Sequence, residues 1–509
     1  MLKFITYLLV LSLLLLSGCA AKNQQLAGKT FRYGTTAFGT SMGNAGIDPH
    51  QSYQGWSAVR YGVGETLFRL DDQLRPQPWL AENAEQLDER TYQITLRDNI
   101  TFSSGRPLTA EAVKECLQEL LSKQPRAAAD LKISRLTAHG KKLIITTYEP
   151  APALLNYLCD PYSSIMDMHS RSTNQKYLAG TGPFIVRSLT NDEILLQKNP
   201  HYWNGPVKMD NVLIKGIPDG NTLTMALQNG ELDAAQGMPY NSLQLFEQNP
   251  AFKISSAATS RVFQAAFNYQ VSLLQDDRVR QAIAMAIDKV QFCQVLLGGN
   301  GLPAAGPFPD TLAMGMHVQA APYNPVQARQ LLQAAGWTDN NGDGYLEKDG
   351  QTLTLRWLTY PARQELPLLA EAAQAYLKAI GIKTEINITD NYAGFLQAGQ
   401  WDIFANAFVS MPTGDPLYYF NTHAARTSSY NAGSYDNPAV QHLLAQLSRE
   451  QNPISRQQTA QKLAQQINND NAYLYFAHLK MSLVMRQNVH GLTAHPSDYY
   501  EITASLNKE

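Results

Sequence analysis

The chain has 509 residues, 44% of them hydrophobic and 17% charged, with 41 Lys and Arg against 43 Asp and Glu. That length suffices for about two to four domains, and a formal charge of −2 offers no counterion-release drive toward nucleic acid. No low-complexity tract is present, which excludes gross disorder and leaves a soluble globular protein.

Lys3 precedes an apolar run, residues 4–16 (FITYLLVLSLLLL), too short for a stable membrane-crossing helix, which takes about 20 residues. Its proportions are those of a signal peptide. It ends in Leu16-Ser17-Gly18-Cys19, which resembles the bacterial lipobox. The expectation is a lipoprotein signal peptide over 1–18, lipidation of Cys19 and a polar tether over 19–28, against an ordinary secretory signal with a chance cysteine. The protein would then sit outside the cytoplasmic membrane, held to its outer face by lipid alone, since no second segment could span a bilayer.

Beyond the tether, period-two alternation predicts strands over 30–36 (TFRYGTT), 92–96 and 142–147 (KLIITT). Helical spacing runs over 110–121 behind Thr109 as N-cap, and over 278–287 behind Asp276 and Asp277. A third helix is expected over 325–335, where Asn324 precedes Pro325 at the first helical position and Gly336 stops it. Residues 367–380 and 454–467 complete the strong helices. The alternation predicts α/β architecture with more than one sheet. Cys116, Cys159 and Cys293 lie in apolar or helix-like contexts and read as small buried hydrophobes, one disulfide among them being left open. No CxxC, HExxH or other Cys/His ligand spacing occurs.

A series of short motifs follows in order. Gly64-Glu65-Thr66-Leu67-Phe68 and Trp79-Leu80-Ala81-Glu82 come first, then residues 92–105 (YQITLRDNITFSSG) with 107–113 (PLTAEAV). Gly180-Thr181-Gly182-Pro183-Phe184, Asn199-Pro200-His201-Tyr202-Trp203 and Asn229-Gly230-Glu231-Leu232-Asp233 follow. The second half adds Val279-Arg280-Gln281-Ala282 with Ala286-Ile287-Asp288-Lys289, Tyr323-Asn324-Pro325 with Ala335-Gly336-Trp337, and Trp401-Asp402-Ile403. Taken singly these are turn residues, strand breaks and apolar plugs. Together, from about Thr30 to the C-terminus, they resemble the extracytoplasmic solute-binding proteins of ABC importers, in the large peptide/nickel-binding family.

The resemblance implies an α/β, two-lobed periplasmic-binding-protein fold with the ligand cleft between lobes. The first lobe is expected over 29–261 plus 484–509, with an inserted subdomain at about 68–177, and the second over 262–483. Hinge closure would bury the solute, and the closed form would be recognised by the importer's permease and ATPase subunits. The protein is expected to be a monomer and no enzyme.

For the solute, residues 408–432 (FVSMPTGDPLYYFNTHAARTSSYNA) are the most informative. In this family the segment lines the second lobe's side of the cleft, and peptide-binding members carry an Asp four residues before the Pro of the loop, against the peptide's ammonium. Here Asp415-Pro416 sets the register and Pro412 occupies that position, with neither charge nor donor. The stretch resembles instead binders of metal chelates, nickel bound to histidine or to opine-type metallophores, with cobalt or zinc as alternatives. Tyr418, Arg426 and Asn431 fall at the spacing where such binders place a Tyr, an Arg and an Asn around a carboxylate-rich chelate. Arg suits carboxylates through bidentate charge-assisted bonds. Residues 53–61 (YQGWSAVRY) also look like those binders, with Tyr53 and Trp56 as aromatic walls. The first-lobe Arg that such binders place after the strand near Cys159 is missing from residues 160–167 (DPYSSIMD). Either Arg60 or Arg97 supplies that charge, or the ligand carries fewer carboxylates.

No two of the ten histidines stand three or four residues apart, so an all-protein metal cage is not expected. His423, on the cleft loop, is the candidate to fill an open coordination site of a chelated metal, with His50 and His478 behind it. Gly39-Thr40-Ser41-Met42-Gly43 matches the nucleophile elbow of a secreted serine hydrolase, but only one strand precedes it; it reads as a chance match. Asp339-Asn340-Asn341-Gly342-Asp343-Gly344 resembles the start of an EF-hand loop, yet position 12 is Gly350; it reads as a tight polar turn, with calcium binding as the alternative. The overall expectation is a lipid-anchored ABC-importer receptor for a nickel-type chelate, against a di- or oligopeptide receptor.

Overall fold

The computed structural model describes residues 28–39, 45–171 and 177–509. The lipobox with Cys19, and Ser41 of the elbow motif, lie outside the described residues.

The chain enters through β1 (Thr30–Thr35), then α1 (Gln54–Arg60). A four-stranded sheet follows, built from β2 (Ala81–Asp88), β3 (Thr91–Leu96), β4 (Ile133–His139) and β5 (Lys142–Thr147) in the order β2-β3-β5-β4. Two helices separate its halves. In α2 (Ala110–Lys123) the Thr109 hydroxyl accepts the Ala112 N–H, the cap expected from sequence. Next comes α3 (Pro125–Leu131), which opens on a proline.

The main sheet has eleven strands. After β1 its members in chain order are β6 (Phe184–Leu189), β7 (Glu193–Lys198), β8 (Asn211–Gly216) and β9 (Ala234–Gln236). Helix α4 (Tyr240–Glu247) leads into β10 (Phe252–Phe267). Helices α5 (Asp277–Ala286) and α6 (Pro325–Ala334) precede β11 (Thr354–Thr359), α7 (Glu365–Ala379), β12 (Lys383–Ile388) and β13 (Ile403–Val409). Then come α8 (Leu417–His423), α9 (Pro438–Leu447), α10 (Pro453–Asn469) and β14 (Tyr473–Arg486). The spatial order is β12-β11-β13-β10-β14-β9-β1-β8-β7-β6, with Gly301–Pro303 also paired to β14.

Two strands span this sheet. β10 and β14 pair antiparallel along nearly their whole length, with register shifts between Ala258 and Val262 and again between Phe263 and Gln264. Their outer halves flank β9 on one side and β13 on the other. The division shows in the packing: α5, α6, α7, β11 and β13 share one buried cluster around Trp357. A larger cluster runs from Phe31 and Tyr61 through the four-stranded sheet and on to Met411, Leu417 and Tyr419. The helices after β13 therefore pack into the first lobe's core, and the lobes meet over apolar surface as well as across a cleft.

Cys116, Cys159 and Cys293 are free and buried, as small hydrophobes in apolar settings should be. Burial pushes the Cys116 and Cys293 thiols up to about 12, so they stay protonated and inert. Asp276 and Asn324 cap α5 and α6, and Gly336 adopts the left-handed conformation (φ +90°) where the periodicity stops.

Candidate functional site

The carboxyl ends of β1 and β9 in one lobe, and of β11 and β13 in the other, face the same crevice. The pairings fix this: Gln236 ends β9 opposite Leu483, and Val409 ends β13 opposite Arg261, both beside the irregular stretch of β10 and β14. Crevices beyond strand carboxyl ends are where open α/β sheets bind ligands.

On the first-lobe wall stands Arg126, from the first turn of α3. Its Nη2 donates to Asp160 Oδ2 at 2.7 Å, and its Nε lies 3.4 Å from Asp130 Oδ2. The guanidinium covers two rings, Tyr162 at 5.2 Å and, from α8, Tyr418 at 5.3 Å. Tyr418 in turn stacks on Phe408 of β13 (5.6 Å, 12°). An arginine over a tyrosine over a phenylalanine thus crosses from lobe to lobe, a favourable arrangement of a cation on π-faces. Burial raises Asp130 to about 6 despite the neighbouring guanidinium, and lifts Asp160 above the usual carboxylate range.

The floor carries a second cationic group. Arg261 sits on β10 directly opposite Val409. Among the described residues its guanidinium makes no hydrogen bond or ion pair, and the same holds for Arg363, just before α7. Burial, and then the nearby Arg363 charge, pull Arg261 down to about 10. The acid of that neighbourhood, Glu365, already accepts the Tyr240 hydroxyl at 2.5 Å. Two guanidinium groups with open donors beside a crevice form a cradle for a carboxylate.

The residues singled out by sequence are placed as follows. Tyr418 is in the interlobe stack. Trp56 packs on Tyr499 (5.7 Å) with the Arg60 guanidinium over its ring, and Tyr53, 65% exposed, meets Trp56 edge-on. Arg60 is buried and taken up by Asp498 at 2.7 Å and Glu501 at 3.3 Å. Arg97 gives its Nε to the Trp79 carbonyl at 2.6 Å and lies over Trp203. Arg60 is therefore neutralised by two acids, as Arg126 is by Asp160 and Asp130, whereas Arg97 and Arg261 have no ion pair among the described residues. Arg126 escaped the sequence reading because it reaches the Asp160 loop from a helix 34 residues upstream, leaving no local signal.

Arg426 is 62% exposed and pairs with Asp436 at 2.8 Å. Asn431 is a loop staple: its Nδ2 donates to the Tyr435 carbonyl at 2.7 Å, and its Oδ1 accepts the Tyr435 N–H at 3.1 Å. His423, only 2% exposed, is stacked on Tyr419 and crossed by Phe408. Burial pushes it down to about 3, so it is neutral, and its Nδ1 is engaged with the Thr422 hydroxyl at 2.8 Å. His50 and His478 are likewise buried and pushed down to about 4 and 3. The Pro412 carbonyl accepts the Tyr499 hydroxyl at 2.7 Å, and the Thr413 carbonyl accepts Asn156 Nδ2 at 2.9 Å. Asp415 is buried against Arg456 at 2.5 Å. The loop is thereby clasped to the first lobe by backbone carbonyls, and its one acid faces away.

Comparison with known proteins places this arrangement among receptors. The model for bacterial extracellular solute-binding proteins, family 5, matches residues 75–431. The nickel-binding protein NikA of Staphylococcus aureus is 28% identical over 446 residues, 87% of this chain and 89% of that protein. Its crystal structure in complex with Ni(L-His)2 superposes with a TM-score of 0.78 at 27% identity, covering 95% of this chain and all of that one. The oligopeptide-binding protein AppA of Bacillus subtilis is 26% identical over 86% of this chain and 84% of its own.

Proposed function

Since this chain belongs to the bacterial extracellular solute-binding proteins of family 5, we propose that it is the receptor of an ABC importer and captures a nickel or similar transition-metal chelate. The permease and ATPase subunits would be its partners and Cys19 its lipid anchor, with no catalytic step. The observation that carries the ligand class is the open guanidinium pair Arg261 and Arg363 at the crevice end of β13, the strand whose Phe408 joins the Arg126–Tyr418 stack. A small chelate rich in carboxylates suits such a pair. One carboxylate lies in the arginine cradle, where charge-assisted bonds are strongest, and the apolar body lies against aromatic rings. The metal is cargo, held by the chelator's own donors, which agrees with a neutral, enclosed His423. A nickel-histidine relative supports this reading.

The second reading, a peptide receptor, has AppA in its favour. Against it stands the clasped loop: a peptide ammonium needs an acid, position 412 is proline, and Asp415 is spent on Arg456. We assign the hinge to the irregular stretch 258–262 of β10 and its partner on β14, close to the lobe boundary expected from sequence.

A thermal-shift panel tests the proposal with nickel plus histidine, nickel plus an opine-type metallophore, free nickel, and mixed di- to pentapeptides. Ligand at about 100 times its Kd stabilises by about 2.7 kcal/mol. A rise with chelates alone supports the proposal; a rise with peptides alone overturns it.

A further inference from the structure

The polar turn between α6 and β11 resolves into more than a turn. A carboxylate oxygen from each of Asp339, Asp343 and Glu347 lies within 4.8 Å of the others. Among the described residues none of the three forms an ion pair. The Asp339 carboxylate accepts the Gly342 and Gly344 N–H groups, Asn341 Oδ1 accepts the Asp343 N–H, and Asp343 Oδ1 accepts that of Tyr345. These contacts wind the loop so that its acids converge. Reciprocal backbone bonds between Thr338 and Glu347 (3.0 and 2.8 Å) close it at the base.

Glu347 points to a ligand. It is 8% exposed, its Oε2 accepts the Asn340 N–H at 2.9 Å, and its Oε1 is buried with no hydrogen-bond partner. A carboxylate oxygen taken out of water with no donor to accept from is costly, and two further carboxylates stand beside it. A cation supplies the missing partner. We infer that Asp339, Asp343 and Glu347 bind a calcium ion. The donors are all carboxylate oxygens, which selects a hard cation. The cluster draws on one flexible loop, which suits calcium's six to eight ligands at irregular angles better than magnesium's strict octahedron. The absence of a Glu at position 12, which argued against calcium from sequence, is answered by Glu347 at position 9. The site lies at the amino end of β11, whereas the crevice is at its carboxyl end. It would pin the turn ahead of β11 and leave the chelate alone. Its affinity class is that of extracellular modules, roughly 0.1–1 mM.

The test uses the purified protein stripped with chelator, followed by terbium luminescence sensitised from Trp337, two residues from Asp339, and by melting temperature. Terbium emission should appear, be displaced by calcium, and resist magnesium at tenfold higher concentration. Calcium should raise the melting temperature. Asp343→Asn should weaken terbium and calcium binding at least tenfold while leaving the shift given by nickel and histidine unchanged. Should the variant fold poorly, displacement in the natural chain decides alone. No emission from the natural chain, emission that survives Asp343→Asn, or equal displacement by magnesium overturns the inference.

Discussion

Replacing Arg261 by Gln separates stability from binding by sign. In the unliganded protein the guanidinium is charged, partly buried and beside Arg363, and it has no hydrogen-bonded acid among the described residues. Its fall from 12.5 to about 10 corresponds to about 3 kcal/mol by which the folded state disfavours the charged form. For a base lowered on folding, this cost is present at every pH below about 10 and fades as the pH rises toward 12.5. Arg261→Gln removes it, offset by the lost contacts of the aliphatic stem at about 0.8 kcal/mol per methylene. The unliganded protein should gain about 1–2 kcal/mol in urea denaturation at pH 7. The chelate should bind more weakly by about 1.5–3 kcal/mol, the worth of a hydrogen bond to a charged group, or roughly 10- to 100-fold in Kd by calorimetry. A destabilised variant would show that Arg261 has a structural counter-charge, and an unchanged Kd would show that the ligand lies elsewhere. Either result refutes the cradle.

Arg126→Met should behave oppositely in stability. It leaves the buried Asp160 carboxylate unpaired, at a cost of about 3 kcal/mol, and also weakens the chelate, so urea midpoint and Kd should both worsen; an unchanged midpoint would contradict the pairing. Tyr499→Phe removes the hydrogen bond to the Pro412 carbonyl of the cleft loop, worth about 0.5–1.5 kcal/mol. Chelate affinity should drop severalfold by calorimetry with little change in melting, and an equal loss of both would speak for a purely structural bond. His423 and His478 are neutral bases held down to about 3. Their contribution is complete above about 6.5 and is lost as the pH falls toward 3. His478→Gln should flatten the fall in urea midpoint between pH 6.5 and 4, and an unaltered slope would exclude it.

What the sequence made legible was local. Thr109 caps α2, Asn324 and Pro325 open α6, and residues 142–147 form a strand because each signal acts within one turn or one pleat. The motif series carried the fold. The crevice was harder, because its charges are defined by partners far along the chain. Arg60 looked available until the tail brought Asp498 to it across 438 residues. Arg261 reads as an ordinary mid-strand residue, and only the sheet register shows it opposite Val409 at the crevice. Asn431 had the right spacing, yet its amide is absorbed by its own loop, a local competition common for Asn.

The pairing of β10 with β14 has a mechanical consequence. β10 and β14, which both run from one lobe to the other, are neighbouring strands of one continuous sheet, so opening the cleft is a torsion of a bonded ribbon, not the swing of a loose tether. The ladder survives on either side of the slip between Ala258 and Val262, and the bending is concentrated in the few residues whose pairing is already irregular. Such a ribbon resists sideways shear and yields in twist, which would hold the crevice walls in register through each cycle. A single added ladder bond at that slip would stiffen the whole receptor.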